Sequence, residues 1–421
     1  MTAVEAPIAA PATAAPSDLA SHYVGRKYVQ LVLVLGALSA IGPLTIDTYL
    51  PALPELSRQL GATDAQAQST ITGLLIGLGV GQLIIGPLSD AVGRRKPLLI
   101  GLGLHAGMSL LCALAPSIGM LTLTRSLQGF AGAAVAVVSM AVVRDLFSGI
   151  RAAQLLSRLV LVLGVAPILA PSLGSALLAL TSWRGIFVVL AVAALLMLVL
   201  AFVALPETLP VERRRPASII GSLQAYRMLF RDRLFIVMVL VAGLMFATLF
   251  AYISGAPFVL QNLYGLTPQQ FGIAFSANAI GMIAMTQINP WLVKRYSPVS
   301  VLTFGVLLAV SGAVLLLVLM SLGVGGWFAF MAPLFFVISA AGLSFPNAPA
   351  IALNRHGESA GTAAAMLGAS QFMIGGAVAP LVGALDNGTP VPMAAIMVGT
   401  TGLAAVLLLS SRKALSAVDY R

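Results

Sequence analysis

Apolar residues fall into long runs along this chain, and polar residues gather in short segments between them. A helix needs about 20 mostly apolar residues to cross a bilayer. Twelve stretches qualify: 28–50, 66–88, 97–115, 118–142, 155–180 and 185–205, then 234–258, 270–290, 299–322, 325–350, 360–382 and 392–410, numbered here as spans 1 to 12. The longest polar stretch, 206–233, carries Pro206, Pro210, Pro216 and six arginines and divides six spans from six. The pattern predicts an all-α integral membrane protein with twelve transmembrane helices in two pseudo-symmetric six-helix bundles. The expected organisation is a disordered Ala/Pro-rich cytoplasmic tail (1–27), a first bundle (28–205), a central cytoplasmic loop (206–233), a second bundle (234–410) and a short cytoplasmic tail (411–421). The first span is too long for a signal-peptide core and is expected to be retained.

Composition agrees with the pattern. Of 421 residues, 59% are hydrophobic and 9% charged, against about 25% charged in soluble domains. The net charge of +10 would suit a nucleic-acid binder only if the basic residues shared one solvated face. Instead they form short clusters between spans. With both termini placed inside, 20 of the 23 Lys and Arg residues fall on the cytoplasmic side, which is the bias that orients membrane proteins. The single cysteine, Cys112, has no partner for an internal disulfide. Three scattered histidines, His22, His105 and His356, supply neither a metal cluster nor a nucleophile–base set, and no phosphate-binding GxxxxGK[ST] loop occurs. An enzyme, a nucleotide-driven pump and a bound cofactor or metal are therefore not expected.

The halves echo each other. Ala170-Pro171-Ser172-Leu173-Gly174 recurs as Ala379-Pro380-Leu381-Val382-Gly383, and the basic loop 90–96 has a counterpart at 291–298. Repeated bundles with a midplane site between them are a transporter architecture.

Charges inside spans are costly and point to function by default. Two stand out, Asp47 in span 1 and Arg125 in span 4. From the outer surface they lie about 5 Å and about 10 Å deep at 1.5 Å per residue, so they can pair in one conformation if spans 1 and 4 are neighbours. Arginine keeps its proton and aspartate can exchange one. Two readings stay open for each: Asp47 as proton site or as a cap of the outer loop beside Pro51 and Pro54, and Arg125 as coupling charge or as a tie to carbonyls freed by Gly129 and Gly132. His105 reads as a packed, neutral histidine.

Between spans 2 and 3 runs Gly86-Pro87-Leu88-Ser89-Asp90-Ala91-Val92-Gly93-Arg94-Arg95-Lys96. Gly86 and Pro87 should break span 2, Gly93 should permit a tight turn, and the basic run should anchor to anionic lipid. This segment resembles the signature loop of the major facilitator superfamily. Ile46-Asp47-Thr48-Tyr49-Leu50-Pro51-Ala52-Leu53-Pro54, Arg125-Ser126-Leu127-Gln128-Gly129, Ala166-Pro167-Ile168-Leu169-Ala170-Pro171-Ser172-Leu173-Gly174 and Ser254-Gly255-Ala256-Pro257-Phe258-Val259 resemble motifs of its drug:proton antiporters, in particular the bicyclomycin/chloramphenicol-resistance subfamily. The chain departs from the pattern at Ala91, where a basic residue is usual, and at Ser175, where a second glycine is common. It has also lost the aspartate in the second-half loop at Lys294 and Arg295.

The resemblance implies a proton-coupled exporter of amphipathic antibiotics, of phenicol or bicyclomycin type, working by alternating access in a bacterial inner membrane. The alternative on the same fold is an exporter of an endogenous metabolite or amino acid, or a proton-coupled importer. Asp47 and Arg125 are the expected coupling pair. Tyr49, Gln128, Phe246, Phe250, Tyr252, Asn278 and Gln371 are the expected cavity wall. Gly86, Asp90, Gly93, Arg94, Arg95 and Arg144 form the expected gate, with Asp90 pairing to Arg144 and to the start of span 11. In span 5, Gly164, Pro167, Pro171 and Gly174 form the expected hinge, its two glycines approaching the other half. Expected partners are a small-molecule drug, protons and the lipid bilayer, with the protein acting as a monomer.

Overall fold

The computed structural model describes residues 25–147, 149–214, 219–354, 356 and 360–416; most of the expected N-terminal tail (1–24) and the last residues (417–421) lie outside the described residues. The described residues hold fourteen α-helices and no strand. The first half contains α1 (Arg26–Asp47), the short α2 (Leu53–Gln59), α3 (Asp64–Val92), α4 (Arg95–Ala113), α5 (Ile118–Leu146), α6 (Gly149–Leu178) and α7 (Trp183–Ala204). After α8 (Ile219–Arg231) come α9 (Arg233–Phe258), α10 (Pro268–Arg295), α11 (Pro298–Ser321), α12 (Gly326–Leu353), α13 (Ala360–Ala384) and α14 (Val391–Ser416). Among the described residues, eleven stretches are long and apolar enough to cross a membrane, and α6 adds an apolar core at Val162–Leu178. Val188, Val192, Leu195, Leu196, Val199 and Val203 of α7 are all exposed, an apolar face that suits contact with lipid.

The packing repeats from half to half. In the first half α1 lies on α6 and α7, α3 on α5, and α4 on α5 and α7. In the second, α9 lies on α13 and α14, α10 on α12, and α11 on α12 and α14. The two bundles meet along two symmetry-related seams, α3 against α13 and α6 against α10. These are spans 2 and 11, and spans 5 and 8. Each seam pairs the second span of one half with the fifth of the other.

Two local expectations are corrected. Span 2 does not break at Gly86-Pro87; α3 runs through Pro87 to Val92 and ends at Gly93, whose φ of 97° favours glycine. A proline frees the carbonyl four residues earlier, and the Leu83 carbonyl accepts a long 3.5 Å hydrogen bond from the Tyr226 hydroxyl. The segment 206–233 is not all loop, because it contains α8. Tyr226 and Leu229 turn inward there while Arg227, Met228, Phe230 and Arg231 stay exposed, the one-sided pattern of an amphipathic helix.

Candidate functional site

Asp47 is the last residue of α1 and is 4% exposed. Thr48 and Tyr49 follow, and Pro51 and Pro54 then occupy the first turns of two short helical segments, where proline's missing donor costs nothing. The carboxyl faces a cavity of about 120 Å³ between the halves, walled by Pro43, Pro167, Phe250, Tyr252, Phe275 and Ile338 among others. Its Oδ1 has no hydrogen-bond partner.

Arg125 is fully buried on α5. It forms no ion pair with Asp47 in this conformation. Its Nη1 donates to the Thr45 carbonyl at 3.1 Å and to Gln128 Oε1 at 2.7 Å. Its guanidinium lies over the Tyr49 ring, 4.3 Å from the centroid, a favourable cation–π position. Gln128 in turn donates to the Ser109 hydroxyl at 2.7 Å, and His105 Nδ1 meets the Gln128 carbonyl at 3.3 Å while Nε2 meets the Thr45 hydroxyl at 3.2 Å. Thr45, two residues before Asp47, is thus held by both Arg125 and His105. The sequence reading takes His105 as a packed, neutral histidine, and it is buried. The structure makes it part of the support of α1, a role that needed the α4–α5 pairing to be seen.

The expected wall residues divide. Phe250 and Tyr252 line the Asp47 cavity. Asn278 is buried and donates to the Tyr252 hydroxyl at 3.1 Å. Phe246 sits in an aromatic group with Phe250, Phe345 and Phe372. Gln371 lines a larger cavity of about 520 Å³, which reaches the end of the molecule bearing the basic loops, at Asp90, Arg94, Arg144 and Leu353. Tyr49 and Gln128 line neither cavity. Tyr49 packs inside the first bundle on Phe187 and bonds Thr70 at 3.1 Å, and Gln128 belongs to the arginine network.

At the basic end, Asp90 in the last turn of α3 pairs with Arg94 just beyond the helix rather than with Arg144. Arg94 is buried, not lipid-facing. It also donates to Asp145 Oδ2 at 2.8 Å and to Ser89 Oγ at 2.8 Å. Arg95 reaches back to the Phe202 carbonyl at 2.7 Å. The residue the sequence reading missed is Glu207. Its carboxylate accepts the backbone N–H groups of Arg94 (2.8 Å) and Arg95 (3.2 Å) at the start of α4, where helix amides favour an anion. A Cβ on Gly93 would overlap that carboxylate, so the loop glycine serves both the turn and the Glu207 contact. Gly86 lines the large cavity with open space beside it.

The four α6 positions also divide. The helix runs continuously through Pro167 and Pro171. Gly164 faces the second half at Ile283 in ordinary contact, whereas a Cβ on Gly174 would overlap the Thr48 carbonyl at the end of α1, within the same half. Ser175 bridges the halves by donating to the Pro268 carbonyl at 2.7 Å.

The end remote from the basic loops is sealed. Thr72 donates to the Gly376 carbonyl at 2.8 Å, the Gly383 N–H to Gln68 Oε1 at 2.8 Å, and Gln261 to the Pro51 carbonyl at 3.1 Å. All three join the two halves. Among the described residues no cluster of three or more His, Cys, Asp or Glu could hold a metal ion.

Comparison with known proteins gives a consistent result. The family model described as Major Facilitator Superfamily matches residues 33–380. A protein of Bacillus subtilis (strain 168) named an uncharacterized MFS-type transporter, YdgK, is 39% identical over 379 residues, covering 89% of this chain and 93% of its own. A bicyclomycin resistance protein homolog of Haemophilus influenzae is 32% identical over 362 residues, covering 86% and 91%. Among solved structures, a peptide transporter POT in complex with sulfate superposes with a TM-score of 0.74 over 92% of this chain and 95% of that one, at 16% identity.

Proposed function

This chain belongs to the major facilitator superfamily and is a membrane transporter, and we propose that it exports amphipathic antibiotics in exchange for protons. The observation that carries the reading is the Asp47 carboxyl, buried at the junction of the halves with one oxygen unpartnered. An ionised carboxylate there would lack a counter-charge, which is costly in a dry interior. A carboxyl group in that position suits a group that is neutral in one conformation and charged in another.

In the proposed cycle the termini and basic loops face the cytoplasm of a bacterial cell, and the protein works as a monomer in the inner membrane. The large cavity then opens inward and the sealed end faces out. Drug enters from the cytoplasmic side and binds along the aromatic wall of Phe246, Phe250 and Tyr252. Asp47 gives up its proton inward, and the outward-open state returns a proton to Asp47 as drug leaves. Proton and drug each shift the balance between two conformations that bind them differently. Arg125 is the fixed positive charge beside α1. The bicyclomycin resistance homolog and the sequence resemblance to phenicol exporters support the substrate class.

The test is uphill drug transport in inverted vesicles, preceded by a susceptibility panel in an efflux-deficient host. Asp47→Asn should lose proton-driven transport while remaining folded. Uphill pumping at the wild-type rate in that variant would sink the reading.

A further inference from the structure

Tyr252 on α9 and Asp47 on α1 belong to opposite halves and line the same cavity of about 120 Å³. Each brings an unused hydrogen-bonding capacity to it. Asp47 Oδ1 is an acceptor without a donor. The Tyr252 hydroxyl accepts from Asn278 Nδ2 at 3.1 Å; the amide's Oδ1 is itself without a partner, and no hydrogen bond among the described residues takes the tyrosine's own proton. A phenol both donates and accepts, so the Asn278 contact fills the accepting side and leaves the donor free. The ring is held as well. It stacks on Phe275 with centroids 4.9 Å apart and planes 18° from parallel, and the residue is 1% exposed.

We infer that Tyr252, oriented by Asn278, is the donor that receives the Asp47 carboxylate from the opposite half once that carboxyl has lost its proton. No covalent chemistry is involved. The Asp47 proton leaves to water on the cytoplasmic side, the phenol keeps its proton, and one hydrogen bond forms across the cavity as it contracts. The bond joins α1 to α9, so deprotonation becomes a force that draws the halves together. Hydrogen bonds to charged groups are roughly twice as strong as neutral ones.

The other titratable groups near the end of α1 are Arg125 on α5, His105 on α4 and Tyr49; His105 and Tyr49 have partners inside the first bundle, and Arg125 is tied there through Nη1 while its Nε and Nη2 have no partner, but none of the three lines the cavity. From α6, α10 and α12 the cavity receives Pro167, Phe275 and Ile338, none of which titrates. Within the cavity only Tyr252 can offer a side-chain donor to Asp47. The inference rests on Asp47 being the proton-binding carboxyl.

The experiment is labelling of the purified full-length protein by dicyclohexylcarbodiimide, which reacts with protonated carboxyls in apolar surroundings. Modification of Asp47 is read by peptide mass spectrometry across a pH series, so no drug need be known. Labelling should fall as pH rises. Tyr252→Phe removes only the donor that favours the ionised form and should move the midpoint up by about one pH unit, the scale set by a hydrogen bond to a charged group. Asn278→Leu leaves the hydroxyl but frees its orientation, and should move the midpoint the same way by less. It also stands in if Tyr252→Phe fails to fold. An unchanged midpoint in the folded variants, or an acid shift in Asn278→Leu, overturns the inference and leaves the transport reading standing. Absence of Asp47 labelling at every pH overturns the transport reading itself, with Asp47→Asn as the blank.

Discussion

Replacing Arg94 by methionine tests whether the loop after α3 is a lipid anchor or a buried electrostatic clasp. The side chain of Arg94 is 10% exposed and that of Asp145 16%, while that of Asp90 is 46% exposed. The two ion pairs therefore differ in kind. Removing one partner of a buried pair costs roughly 3–5 kcal/mol, whereas an exposed pair contributes about 0–1 kcal/mol. Thr208 still donates to Asp145 Oδ2 at 3.2 Å, which recovers part of the loss. Arg94→Met should thus destabilise by about 3 kcal/mol, and Asp90→Asn by less than about 1 kcal/mol. Denaturant-induced unfolding in mixed micelles, read by tryptophan fluorescence with Trp291 and Trp327 replaced by Phe so that the buried Trp183 reports, compares the two variants on one scale. A lipid-anchoring arginine would show almost no stability change in micelles. Equal losses in the two variants, or a larger loss in Asp90→Asn, would refute the clasp.

Gly174→Ala should cost about 1–3 kcal/mol through overpacking, because the added methyl overlaps the Thr48 backbone oxygen, whereas Gly86→Ala meets open space and should leave the melting temperature unchanged; a thermal melt of both proteins decides. Thr72→Val removes a hydroxyl that ties the first half to the Gly376 carbonyl. A neutral hydrogen bond is worth about 1 kcal/mol, so the population open at the sealed end should rise about five-fold, and labelling of a cysteine placed at that end should accelerate by the same factor.

Much of the fold was legible along the chain. Twelve apolar runs became twelve long helices with ends close to those expected, because the bilayer leaves a spanning backbone few ways to satisfy its own hydrogen bonds. One further echo of the duplication was also readable. Thr63-Asp64-Ala65-Gln66 and Thr267-Pro268-Gln269-Gln270 each form a capping box at the start of the equivalent helices α3 and α10, as a threonine followed three residues later by glutamine foretells. Helix α8 was missed because its arginines dominate a linear reading while its apolar face emerges only at helical spacing.

The site was legible in part for a different reason. Hydropathy exposes a charge that does not belong in lipid, so Asp47 and Arg125 stood out from sequence alone. Partnership could not be read that way. Arg94 answers to Asp145 and its backbone to Glu207, residues 51 and 113 positions away, and the cavity beside Asp47 is built with side chains more than 100 positions further along. The family resemblance puts Tyr49 and Gln128 in the wall with spans 1 and 4, yet a span has several faces and only packing decides which one meets the other half. The sequence by itself determined the membrane class, the number of spans, the duplication and the two intramembrane charges, since each is a local property of a segment in lipid. Only the tertiary structure decided which end is sealed, that Arg125 and Asp47 form no ion pair in this state, and that Tyr252 and Asp47 line one cavity, because those facts depend on how two separate bundles close on each other.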